Sequence, residues 1–283
     1  MKFKVFYIGL ILLLSTSLKA QETKWAYQTF RDTRVVNGHS VEMNTAGEGK
    51  FIISHRFGSI NGGLYNLFGL DAGVIRYGFD FGWNEKTSFG IGRSSIGKTI
   101  DGYFKKKLFY QKSGADNFPF SMVYLSTMTV NGLKWSDTLR NNFFSSRLSY
   151  SHHLILARKF NDRFSLQLMP TLVHRNLVYS NTEANSVYSL GVAARYQITK
   201  VLATQVEYYY VPDGQLAAQY KNSFSVGVEF QTKGHVFQFH LSNATGMVEP
   251  MFITETVNAW HGLGVGLGFN ISRDFKFRYR KYH

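Results

Sequence analysis

His240 and Ser242 bracket a single leucine, with Asn243 beside them. Residues two apart share one face of an extended strand, so the pair sets an imidazole next to a hydroxyl, the beginning of a nucleophilic hydrolase site. A lipid-cleaving site would have to meet lipid, yet Phe237, Phe239 and Leu241 hold the opposite, apolar face. A motif without its geometric context is weak. Lipid hydrolysis is therefore only a third reading; the chain is read as non-enzymatic, and no catalytic residue is assigned. Metal chemistry fares no better. His152 and His153 are adjacent and would point to opposite sides of a strand, and the polarity of an ordinary loop accounts for Glu249, Glu255 and His261. Gly90, Gly92 and "GKT" at 97–99 lack the spacing and the following helix of a P-loop. No metal and no cofactor are expected.

A larger polar set remains. Arg76, Asp80, Arg147, Arg195, Glu207, Glu229 and His240, joined by Arg56, Arg175, Gln167, Gln197, Gln238 and His153, belong to strand-like segments in which polar and apolar residues alternate. They are candidates for the lining of one interior. Pairing across neighbouring strands would avoid the cost of an unpaired buried ion; an excess of arginine would instead select anions. Small barrels fill their interiors with side chains, which favours pairing. Gly78, Gly82, Gly191, Gly227, Gly264, Gly266 and Gly268 nevertheless leave room for a solvated channel.

The elements that must position these residues are strands. In "RYGFDFGW", residues 76–83, Tyr77, Phe79, Phe81 and Trp83 alternate with Arg76, Gly78, Asp80 and Gly82. The period of two means two different surroundings. Hairpins are expected over 74–83 and 88–95, 144–160 and 164–175, 187–198 and 202–211, and 222–231 and 235–243. A last strand runs from Leu263 through Phe275, Phe277 and Tyr279, and less clearly marked strands lie near 51–57, 100–111 and 118–130. Short polar turns alternate with long loops such as 244–262, the asymmetry of an outer-membrane barrel. Strands of about ten residues exceed the soluble average of about five to six. The reading is all-β: a transmembrane antiparallel up-and-down barrel of about 12 strands, with 10 to 14 as the range and both termini periplasmic. Trp83, Tyr110, Phe160, Phe164, Tyr196, Tyr208, Tyr210 and Phe275 would form interfacial girdles. Pro170 predicts a bulge. Asn37-Gly38 is a hairpin signal in a segment, 21–49, that reads as periplasmic or plug-like, the plainest version being an ordered leader to the first strand.

The first 20 residues have a basic start at Lys2 and Lys4, an apolar run from Val5 to Leu14 and a small residue, Ala20, before Gln21. That pattern is a secretory signal, which makes residues 1–20 a signal peptide and 50–283 the barrel. Removing it takes three lysines and lowers the formal charge from +14 to +11. The positive balance suits anionic surfaces or solutes. No helix-turn-helix, zinc set or basic helix marks a nucleic-acid binder. With no cysteine, neither disulfides nor a lipoprotein anchor contributes.

"GKFIISHRFGSINGG", "NLFGLDAGVIRYGFDFG", "HHLILARKFNDRFSLQLMPTLVHRN" and "HVFQFHLSNATGMVEPMFIT" resemble a β-barrel family of unknown function from Gram-negative bacteria of the Bacteroidetes group, over about residues 28–275. The resemblance implies an outer-membrane barrel and brings no activity with it. The expected function is a channel or transporter for small solutes, with the arginine excess pointing to anions. The alternative is a non-conducting structural or interaction barrel whose long loops, above all 244–262, dock a partner. Outer-membrane lipid is the expected surrounding, small solutes are the expected partners, and no protein partner is identified.

Overall fold

The computed structural model describes residues 22–139, 141–181 and 183–277. The expected signal segment, residues 1–20, and Tyr279 lie outside them. Twelve strands form one closed antiparallel barrel: β1 (Glu48–Ser59), β2 (Gly73–Asn84), β3 (Thr87–Ser94), β4 (Ile100–Phe109), β5 (Ser121–Val130), β6 (Leu148–Lys159), β7 (Phe164–Arg175), β8 (Ser186–Gln197), β9 (Leu202–Tyr210), β10 (Ser223–Gln231), β11 (His235–Ser242) and β12 (Gly266–Lys276). Each strand pairs with its neighbours in sequence, and β12 returns to β1 to close the ring. Every barrel strand thus has both edges paired, the condition for a sheet to survive in hydrocarbon. The connections at one end are mostly tight, as at 85–86, 160–163, 198–201 and 232–234; most of those at the other end are long, as at 131–147 and 243–265.

The alternation resolves as expected for the apolar rings. Trp83 is 72% exposed and Phe239 51%, whereas Asp80 and Gln238 are fully buried. The rings tile the outside: Phe79 lies 4.3 Å from Phe81 and 5.6 Å from Phe275 between centroids. Two local expectations are corrected. Pro170 makes no bulge. It pairs with Leu190 in an unbroken register on β8, while on the β6 side the ladder lacks only the pairs opposite Leu154 and Ile155; the missing N–H removes pairing without inserting a residue. The last strand begins at Gly266, because Leu263 stands in a 3-10 turn at positive φ.

The interior is not uniformly polar. β5 to β8 turn Val123, Leu125, Ile155, Met169, Val173 and Val187 inward, and all are buried. They form one core with Phe30, Val35, Val36 and Val41 of the N-terminal segment. Residues 29–44 therefore run inside the barrel instead of leading along it. Arg34 bridges His39, and Ser40 N donates to Thr33 O at 3.0 Å, so the segment is a hairpin. Its outer end pairs Lys24 and Trp25 with Ser113 and Lys112 at the rim where the tight turns lie.

Candidate lumen site

The hairpin is held chiefly through its main chain. Glu207 on β9 accepts three consecutive amide N–H groups, from Val36 (3.2 Å), Asn37 (3.0 Å) and Gly38 (3.0 Å). Close approach at Gly38 makes this fit, since a Cβ there would stand 1.9 Å from the Tyr209 hydroxyl oxygen. On β4, Lys105 Nζ donates to the carbonyls of Thr33 (3.3 Å), Ser40 (3.0 Å) and Glu42 (2.9 Å), and Lys107 Nζ to that of Val41 (2.8 Å). Gln167 on β7 reads both sides of the chain: Oε1 accepts from Val41 N at 2.8 Å, and Nε2 donates to His39 O at 2.9 Å. Asn270 and Arg56 share Val36 O, and Gln238 donates to Arg34 O. Side chains add fewer contacts, with Thr33 donating to Asp80 (2.9 Å) and Asn37 to Ser225 (3.0 Å), and Lys50 pairing with Asp32 (2.9 Å).

The candidates from sequence are buried in this interior, Gln197 only partly, with one exception. Arg76 is buried and pairs bidentately with Asp101 on β4, not with Asp80. It reaches two strands away because Gly92 on β3 has no side chain in its path; a Cβ there would meet the guanidinium at 2.2 Å. Asp80 instead takes Thr33 and Arg34. Arg195 pairs with Glu229 across β9, again beyond its immediate neighbour. Buried His240 has no hydrogen-bond partner for either ring nitrogen, and Ser242 is bonded by Ser225 at 2.7 Å. His240 and Ser242 therefore form no couple. The exception is Arg147, which sits in a 3-10 turn before β6, donates to the carbonyls of Asn131 and Leu133 and lies 4.1 Å over the Trp135 ring. It belongs to the loop end, not the lumen. Lys105, Lys107 and Asp101 escaped notice, although Asp101, Tyr103, Lys105 and Lys107 alternate with Ile100, Phe104 and Leu108.

A second element enters from the loop end. Helix α1 (Glu249–Thr254) is folded inward from loop 243–265, and Phe252 packs 5.1 Å from Tyr209. Glu249 Oε1 lies 3.6 Å from His39 Nε2, so loop and hairpin meet in mid-barrel. Burial pushes the Glu249 carboxyl up, and burial with the nearby Arg34 and Lys105 pushes His39 well down. Glu255 faces Arg175 instead of Glu249, and no metal-ligating cluster exists among the described residues. A cavity of about 590 Å³ opens at the turn end between the hairpin, Lys50, Lys107 and Tyr110.

The wall's buried charges do not balance. On the strands, seven buried cations (Lys50, Arg56, Arg76, Lys105, Lys107, Arg175 and Arg195) meet four buried carboxylates (Asp80, Asp101, Glu207 and Glu229); buried acids off the strands add Glu183, paired with Arg175, Asp32, paired with Lys50, and Glu249. Among the described residues Arg56, Lys105 and Lys107 make no ion pair, and the hairpin's carbonyls are among their acceptors.

A model of the family described as "Membrane bound beta barrel domain (DUF5777)" matches residues 30–275. No curated protein matches the sequence. Among solved structures, the KdgM porin is similar with a TM-score of 0.47 at 10% identity, over 82% of this chain and 99% of that one. The NanC porin gives 0.47 at 8%, over 82% and 100%, and an outer membrane channel from Pseudomonas putida F1 gives 0.46 at 12%, over 83% and 97%.

Proposed function

The chain belongs to the membrane bound beta barrel domain family (DUF5777), and from that premise we propose an outer-membrane channel for small solutes, anionic ones by preference, closed here by its N-terminal hairpin. The tight turns then face the periplasm and the long loops the exterior. The observation that carries this reading is the set of three wall cations, Arg56, Lys105 and Lys107, that make no ion pair and rest on hairpin carbonyls. Moving the hairpin aside would leave three positive groups facing water, the kind of lining that favours anions. The lumen is non-catalytic in this reading, since Ser242 is bonded away from His240.

Planar bilayers test it. The wild-type barrel should be mostly closed, and Glu207→Ala, which removes the acceptor of three hairpin amides, should raise open probability at least about tenfold, given about 1.5–3 kcal/mol per charge-assisted bond. Reversal potentials in a salt gradient should show anion preference, weakened by Lys105→Gln with Lys107→Gln. An opened channel without anion preference overturns the charge reading. The apolar contacts of Val35, Val36 and Val41 with β5 to β8 favour a second reading, a permanently filled non-conducting barrel; it predicts that Glu207→Ala is also silent.

A further inference from the structure

We propose that the lumen wall is a binding site for peptide main chain, with the N-terminal hairpin as its resident occupant, and that free peptides of matching shape compete for it. What the wall reads is largely independent of sequence. Glu207 collects three successive N–H groups, Lys105 three carbonyls, and Gln167 one of each. A side-chain amide that both accepts from and donates to one strand satisfies that strand much as a neighbouring strand would. Specificity is left to shape: valines against Leu125, Ile155 and Met169, and a glycine where Tyr209 leaves no room for a Cβ. The hairpin is also weakly joined to the barrel covalently. Only Thr45, Ala46 and Gly47 separate it from β1, and Ala46 is exposed. The inference deepens the channel reading by naming a solute class, short peptides, and rests on that reading only for passage. Binding is measured separately, so a silent barrel that still exchanges peptide refutes the channel and spares the site.

The test uses the full chain with a protease site inserted at Ala46, cut after folding so that the barrel stays intact. A fluorescent synthetic peptide of residues 22–45 is added, and anisotropy follows its exchange for the resident segment. Three competitors are compared. A peptide carrying Thr33→Ala and Asn37→Ala gives up only side-chain bonds, to Asp80, Ser225 and Arg56; because Asp80 keeps Arg34 and Arg56 keeps Asn270, it should still compete and lose less affinity than a peptide blocked along its main chain. One N-methylated at Val36, Asn37 and Gly38 should bind at least about tenfold more weakly, and that penalty should vanish on a Glu207→Ala barrel. One with altered polar residues but Val35, Val36, Gly38 and Val41 retained should still compete. Absence of exchange, a larger loss from the alanine changes than from N-methylation, or a penalty that persists without Glu207 overturns the proposal.

Discussion

At the residue scale, the lumen is organised by what glycine leaves open. Arg76 spans a strand to reach Asp101 only because Gly92 contributes no side chain. Gly92→Val should drive the guanidinium off its partner, stranding two buried charges at a cost of about 3–5 kcal/mol; urea unfolding in detergent would report it, whereas Gly234→Ala in an open turn should change little. His39 and Glu249 carry opposite pH signs. With its pKa lowered in the plugged state, His39 contributes fully above its ordinary value of about 6.5 and loses that contribution as pH falls. With its pKa raised, Glu249 contributes fully below the ordinary carboxylate range and loses that contribution as pH rises. His39 also faces Arg34, Lys105, His153 and Arg76. Limited proteolysis of residues 29–44 between pH 7.5 and 5 should therefore show Glu249→Gln loosening on acidification and His39→Gln tightening.

At the element scale, the strands were legible and the occupants were not. Alternation such as Tyr77, Phe79, Phe81 against Arg76, Gly78, Asp80 marks a strand and its outer face, because lipid demands apolar residues at every second position. Burial of Asp80, Arg195, Glu207 and Glu229 followed from the same parity. Their partners did not, since pairs that skip a strand depend on register and on which intervening position is small. Arg147 misled because its local pattern resembles a strand start while the chain there makes a 3-10 turn. The hairpin at 29–44 carried its Asn37-Gly38 signal openly, but nothing in a local pattern says that a hairpin goes inside a barrel. The inward valines of β5 and β7 mark where it rests.

At the scale of the whole molecule, two surfaces compete for apolar residues, an outer one against lipid and an inner one against the hairpin and α1. The outer one should be readable by light. Among the tryptophans, Trp83 stands 72% exposed on a spanning strand, while Trp135 and Trp260 sit in loop-end segments and Trp25 at the turn-end rim. In vesicles containing brominated lipid, Trp83→Phe should remove most of the quenchable emission; undiminished quenching would contradict the outward placement of the rings.

Both ends of the inner hairpin are moored on one side. Lys24 and Trp25 are laced to residues 112–113, Arg31 donates to Gln231 and Gln197 beside the tight turns, and Gly47 O accepts from Phe277 N where β1 begins. A leash of three residues spans only about 10 Å, so a hairpin released as the channel reading requires would leave by the turn end and not by the loop end. Pressure from the loop side would then unseat it and pressure from the turn side would seat it: under that reading the barrel would have the mechanics of a check valve.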